Sequence, residues 1–122
     1  KKAPPKRPRS ALAWFTIAAD EAAKTAKHEL YNHACEVETS IALAVAPQLV
    51  RKDKLAPGKI KKTPLRAAEP ADPLRVEFPY RFDEMTENGA LGDARLATVE
   101  DGRRIVKAAL DRAAAVIEDF IA

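Results

Sequence analysis

The chain lacks a second cysteine and any long apolar run. Its single cysteine, Cys35, excludes an internal disulfide and is compatible with a reducing compartment. No apolar run approaches the ~20 residues that a membrane span needs, and residues 1–9 lack the apolar core of a signal peptide. We therefore expect a cytoplasmic protein without a membrane segment. At 122 residues it fits one small domain.

Positive charge is concentrated in residues 1–10, which also lack large apolar and aromatic side chains. Five basic residues there leave 16 basic and 18 acidic residues elsewhere, a net charge of −2 against +3 for the whole chain. With three of the nine prolines, this basic, proline-rich segment is expected to be a solvated arm or linker. A phosphate-binding arm of a nucleic-acid-binding protein is the alternative, but no aromatic residue is interleaved for base stacking.

Hydrophobic patterning over residues 11–122 predicts an α/β domain. The predicted order is a strand at Ala11–Ile17, a helix from Asp20, a helix at Glu36–Val45, a strand at Leu74–Phe78 and a helix from Thr98. Residues 51–73 are rich in proline and lysine, which predicts an irregular loop. Two strands are too few to close a sheet. The sheet is therefore expected to be completed by another chain or segment.

The helix predicted from Thr98 has the most regular pattern in the chain. Thr98 and Asp101, three residues apart, resemble a capping box. Apolar residues then recur at intervals of three and four from Ile105 to Ile121, with charged residues between them. This pattern predicts a long amphipathic helix that covers a sheet.

The segment His33 to Ser40, HACEVETS, has the highest density of chemically reactive side chains. The preceding HELYNH resembles a zinc-protease motif, but His28 and His33 are five residues apart, so one helix face cannot present both. His33 instead precedes a helix start that carries Glu36 and Glu38. A histidine beside a carboxylate can act as an acid, a base or a metal ligand. From spacing alone, a helix cap formed by these three residues is the more common arrangement.

Two separated motifs carry a family resemblance. HACEVETSIALAVAPQLV at 33–50 and NGALGDARLATVEDGRRI at 88–105 resemble the C-terminal half of the creatininase (creatinine amidohydrolase) family. The resemblance implies part of a three-layer α/β/α sandwich with a mostly parallel sheet. It also implies hydrolysis of a C–N bond in a cyclic or linear amide, with two divalent metal ions, zinc or manganese, or alternatively iron.

The same resemblance assigns expected roles to individual residues. His33 resembles the active-site histidine that handles protons, and Trp14 resembles a tryptophan that closes over substrate. Glu36 and Glu38 are expected to support the site. Glu29, four residues before His33, stands where creatinine-specific members carry tryptophan and is a candidate substrate contact. Because Glu29 and Leu30 depart from the creatinine-specific pattern, creatinine is a poor expectation for the substrate.

The metal ligands of the family lie in an N-terminal half that residues 1–32 do not resemble. We therefore expect no metal ligand in this chain and a partner polypeptide that supplies the metal-binding half, within a higher oligomer. A processed fragment of a longer precursor is a second explanation. A non-catalytic structural or binding subunit on the same scaffold is a third.

Overall fold

The computed structural model describes residues 13–28, 31–61 and 81–121. These ranges contain five helices, which are α1 (Trp14–Ile17), α2 (Ala19–Thr25), α3 (Glu36–Val45), α4 (Phe82–Met85) and α5 (Val99–Ile121). Three short 3-10 turns lie at Pro47–Leu49, Lys52–Lys54 and Ala94–Leu96. Within the described ranges, no helix is both long enough and apolar enough to cross a membrane.

Helices α3 and α5 pack against each other at very short range. A Cβ atom on Gly102 of α5 would lie 1.9 Å from the carbonyl oxygen of Ser40 and 2.9 Å from the Cβ of Ala44. Only a residue without a side chain allows this approach. The buried hydroxyl of Ser40 also accepts a hydrogen bond from the Thr98 N–H at 3.0 Å. The start of α5 is therefore held by α3.

Helices α1 and α2 contact α5 through charged groups. The guanidinium of Arg112 donates to the carbonyl oxygen of Ile17 and to both carboxylate oxygens of Asp20. These hydrogen bonds hold the pKa of Asp20 well below its ordinary value. About two turns earlier on α5, Arg104 pairs with Glu21 of α2 at 3.2 Å. The position of α2 on α5 thus depends on two ion pairs, in which Asp20, Arg104 and Arg112 are exposed and Glu21 is largely shielded from solvent.

A small apolar core lies where α1, α2, α3 and α5 meet. Its buried members are Ala18, Cys35, Val37 and Ile105. Ile41 of α3 and Ala109 of α5 pack against them and are partly buried. The core brings the start of α3 next to α2, and so fixes the surroundings of His33.

The predicted helices Glu36–Val45 and Thr98 onward are confirmed, and the prediction of a strand at Ala11–Ile17 is wrong over Trp14–Ile17. The N–H groups of Thr16 and Ile17 donate to the carbonyl oxygen of Ala13, which closes a helical turn. Aromatic and β-branched residues favour strands only where neighbouring strands pair with them. Phe15 is 62% exposed, which a strand buried on both faces would not allow.

Strand pairing among the described residues is limited to three isolated antiparallel bridges. These join His33 to Leu91, Pro57 to Asp93 and Ile60 to Thr86. These bridges connect the residues around His33, the segment 57–60 and the segment 86–93. The segment 57–60 belongs to the predicted irregular loop at 51–73. The second predicted strand, Leu74–Phe78, and the arm at 1–10 lie outside the described residues. The mostly parallel sheet of a three-layer sandwich therefore stays a prediction.

Candidate active site around His33

The backbone of His33 is fixed by a short antiparallel pairing with the second motif. The Leu91 N–H donates to the His33 carbonyl at 2.7 Å, and the N–H groups of Asn32 and His33 donate to the Leu91 carbonyl at 2.9 and 3.3 Å. Leu91 itself is buried. This pairing joins the two motifs that were recognised separately in the sequence.

The imidazole of His33 has a carboxylate and an aromatic ring as neighbours. Its Nδ1 is 3.8 Å from Oε2 of Glu38, and the two side chains are 48% and 43% exposed. The ring of Phe82 from α4 also contacts the imidazole, with centroids 4.4 Å apart and an interplanar angle of 41°. At 3.8 Å the His33–Glu38 contact is electrostatic rather than a hydrogen bond, and solvent screens it.

Glu38 also closes the start of α3. Its Oε2 accepts the N–H of Ala34 at 2.5 Å, while the N-cap residue, Cys35, makes no capping hydrogen bond through its side chain. Ala34 has a φ angle of 48°, in the left-handed region that disfavours residues other than glycine. The turn between His33 and the helix is therefore strained, and Glu38 helps to hold it.

Glu36, which is expected to support the site together with Glu38, points into the protein. It is 1% exposed, and its Oε1 accepts the N–H groups of Lys27 and His28, both at 2.9 Å. Its Oε2 accepts the N–H of Asp93 at 3.3 Å. Burial by itself raises the pKa of Glu36, but these backbone hydrogen bonds outweigh burial and lower it below the ordinary value.

The hydrogen bonds of Glu36 indicate a structural role. One carboxylate joins the segment after α2, the start of α3 and the loop that carries the second motif. Asp93, the donor on that loop, in turn accepts hydrogen bonds from Arg95, which lower the pKa of Asp93. The placement of His33 beside the second motif thus depends on Glu36.

Cys35 is buried at the same helix start. Burial raises the pKa of its thiol above the ordinary value, although the N–H groups of Glu38 and Val37 act in the opposite direction. A buried thiol with a raised pKa is a poor nucleophile. Cys35 therefore belongs to the core and not to the chemistry of the site.

An open cleft of about 420 Å³ adjoins Glu38. Its lining includes Phe15, Ala22, Tyr31 and Asn32, and Glu38 contributes a carboxylate. The cleft lies between α1–α2 and the start of α3. It can therefore accept an apolar group with Glu38 at its polar edge.

Not every predicted site residue can be placed. Trp14 begins α1, but its side chain lies outside the described part of the structure, as does all of Glu29. His33 and Glu38 are brought together, whereas Glu36 faces away from them. The contact with Phe82 was missed because residues 82 and 33 are distant in sequence and no pattern links them. Leu91 lies within the second motif, and that motif was the only signal that could have indicated it.

Metal-ligating side chains do not cluster in the residues that the structure describes. No group of three or more histidine, cysteine, aspartate or glutamate residues comes together there. The arrangement of His33 and Glu38 offers one imidazole and one carboxylate. The described residues therefore do not fit a site for the two divalent ions that the resemblance implies.

Comparisons with known proteins agree on one family. The model of the Creatininase family, creatinine amidohydrolase, matches residues 3–117. The crystal structure of a "Putative creatinine amidohydrolase" from Bacteroides fragilis NCTC 9343 superimposes with a TM-score of 0.76 at 25% identity. The match covers 91% of this chain and 42% of that one, so the chain spans less than half the length of that protein. No curated protein matches.

Proposed function

Since the chain belongs to the creatininase family, we propose that it is one part of a metal-dependent amidohydrolase that cleaves a C–N bond in a cyclic or linear amide. In this proposal His33 lies in the active site. The observation that carries it is the geometry of His33, whose backbone is paired with Leu91 and whose Nδ1 faces Glu38 at 3.8 Å.

The chemistry of His33 follows from which nitrogen faces the carboxylate. A carboxylate beside Nδ1 favours the tautomer with the proton on Nδ1, which leaves Nε2 to accept a proton or to return one to a leaving nitrogen. The Phe82 ring contacts the imidazole, with ring centroids 4.4 Å apart. Proton transfer by a positioned histidine contributes about 10²–10⁴-fold to a rate.

The remaining groups of the site are assigned to a partner. The described residues do not form a metal site, so we propose that a second polypeptide, equivalent to the N-terminal half of the family fold, supplies the metal ligands. Bound divalent ions would supply an activated water and polarise the amide carbonyl. Trp14 and Glu29 are proposed to contact substrate, as the resemblance implies, with the cleft beside Glu38 accepting an apolar part of it.

The experiment compares His33→Ala with the unaltered chain in the complete assembly, supplied with Zn²⁺ or Mn²⁺ and a panel of cyclic and linear amides. We expect kcat to fall by about 10²-fold or more while the complex stays intact by size-exclusion chromatography. His33→Gln keeps the size of the side chain but cannot transfer a proton, so it should be equally slow.

An unchanged rate in both His33 variants would assign this chain to the alternative of a non-catalytic subunit. Lys54→Gln is the matched control, because the side chain of Lys54 is exposed and its ion pair within the described ranges is with its neighbour Asp53. This control should leave the rate unchanged.

Nucleic-acid binding through residues 1–10 stays a separate prediction, since that arm lies outside the described residues.

A further inference from the structure

The C-terminal half of α5 presents a large apolar surface to solvent. Its exposed members, here called the α5 apolar face, are Leu110 (64% exposed), Val116 (49%), Ile117 (57%), Phe120 (48%) and Ile121 (72%). At 100° per residue they span about 140° of the helix circumference, directly beside buried Ile105. The apolar stripe that the sequence predicts is thus real, but only its N-terminal part is buried.

The described elements are too short to cover this face. Helix α3 has 10 residues and α5 has 23, which correspond to lengths of about 15 and 34 Å. Helix α3 meets α5 at Gly102, and Arg112 of α5 donates hydrogen bonds to Ile17 of α1 and Asp20 of α2. From Ala114 to Ile121 every residue of α5 is exposed.

The other side of the same helix carries exposed charged residues. Lys107, Asp111 and Glu118 lie within about 40° of one another there, and Lys107 pairs with Asp111 at 2.5 Å. A helix with one charged and one apolar side is expected to bury the apolar side. Contiguous exposed apolar surface of this kind marks an interaction site.

The comparison structure indicates which partner belongs on this face. This chain matches 42% of the Bacteroides fragilis protein with a TM-score of 0.76. The larger part of that protein lies outside the match, and a polypeptide that carries such a part needs a surface on this chain against which to pack. An apolar helix face is the surface by which one layer of a domain buries another.

We infer that the α5 apolar face is the docking surface for the remaining part of the creatininase fold, carried by the partner polypeptide. This inference rests on the proposed function only in taking the chain to be one part of a larger protein. It assigns the contact to aliphatic and aromatic residues of α5. The charged side of α5 and the basic arm at 1–10 have no role in it.

Photo-crosslinking from two positions of α5 in the native assembly tests the contact directly. Ile117→p-benzoylphenylalanine places the reactive group on the apolar face, and Glu118→p-benzoylphenylalanine places it on the charged side of the same turn. We expect crosslinks from position 117 and not from 118. The crosslinked peptide, identified by mass spectrometry, should align with the part of the Bacteroides fragilis protein that this chain does not cover.

Three crosslinking results overturn the inference. They are a crosslink to a second copy of this chain, a crosslink to a protein unrelated to the family, and equal or no crosslinking at the two positions. A second copy would show that the face is a homodimer contact.

A double substitution provides an independent readout. Leu110→Gln with Ile117→Gln places glutamine, a good helix former, at both positions of α5. It should weaken assembly at least about hundredfold, since two apolar side chains that the proposed interface would bury are lost. The control, Lys107→Gln with Glu118→Gln, should assemble normally, and circular dichroism should show equal helix content in both. Normal assembly of the Leu110/Ile117 variant would refute the docking surface. If the Leu110/Ile117 variant assembled and hydrolysed amides, only the docking inference would fail. If the unaltered complex formed through α5 but hydrolysed no amide, only the proposed function would fail.

Discussion

Replacing Glu36 with glutamine is expected to destabilise the chain by about 2–4 kcal/mol at pH 7. Three backbone N–H groups, from Lys27, His28 and Asp93, donate to this buried carboxylate. Glutamine has one acceptor oxygen, so its NH₂ group must face at least one of these donors and leave it unsatisfied. An unsatisfied buried donor costs about 1–3 kcal/mol, and the remaining hydrogen bonds lose the strength that the charge gives them.

The pH dependence of stability gives a second, independent expectation for Glu36. Its pKa in the folded chain is lowered below the ordinary value of 4.5, so the unfolded chain takes up this proton first as the pH falls. The contribution of Glu36 is therefore complete above about pH 4.5 and is lost as the pH falls through the lower pKa of the folded state. Glu36→Gln should remove this part of the acid destabilisation, so its stability should vary less with pH than that of the unaltered chain.

Urea unfolding followed by circular dichroism at 222 nm, between pH 3 and 7, measures both effects. Glu38→Gln is the matched control, because Glu38 is 43% exposed, and its loss should cost at most about 1 kcal/mol. The reasoning is refuted if Glu36→Gln costs no more than Glu38→Gln at pH 7. It is also refuted if the pH dependence of unfolding is unchanged, because the carboxylate would then make no net favourable hydrogen bonds in the folded chain.

Two further substitutions test the close helix contact and the strained turn. Gly102→Ala should destabilise the chain by about 2 kcal/mol in urea unfolding. The clash of the new Cβ with the Ser40 carbonyl exceeds the gain of about 1 kcal/mol in helix propensity. A stabilised variant would contradict the packing of α3 on α5. Ala34→Gly should stabilise the chain by about 0.5 kcal/mol in the same assay, because relief of the left-handed φ slightly exceeds the added entropy of the unfolded state. A loss above about 1 kcal/mol would show that Ala34 is not strained.

The helices were predictable where local pattern and tertiary packing agree. The range Glu36–Val45 matches the observed α3. Thr98 caps α5 as expected, since its Oγ1 accepts the Asp101 N–H at 3.1 Å. The reciprocal half of the capping box is replaced, because the Thr98 N–H donates to Ser40. No local pattern could show this, since residues 40 and 98 meet only in the folded chain.

Side-chain direction limited what could be predicted about the site. Glu36 and Glu38 are equivalent in a sequence pattern, yet one is buried among backbone donors and the other faces His33 at the surface. Two positions along a helix differ by 200°, so one must turn inward where a neighbouring layer is present. Glu36 is surrounded by the segment after α2 and the loop at Asp93. Both lie outside α3, so the local pattern could not show which carboxylate turns inward.

The failed strand at Trp14–Ile17 has the same origin. Its aromatic and β-branched residues are suited to a sheet, but strand propensity depends on neighbouring strands. The described residues place α5 beside this segment and no strand that pairs with it. Local hydrogen bonds to Ala13 then close a helical turn.

By itself the sequence determined the family, through two motifs in the right order, and the positions of α3 and α5, through apolar periodicity and a capping residue. Only the tertiary structure decided that the two motifs pair at His33 and Leu91, that Glu36 holds them together, and that half of the stripe on α5 is uncovered. The physical reason is range. Periodicity and capping act within a few residues of one helix, whereas burial, backbone pairing and the environment of His33 depend on segments that folding alone brings together.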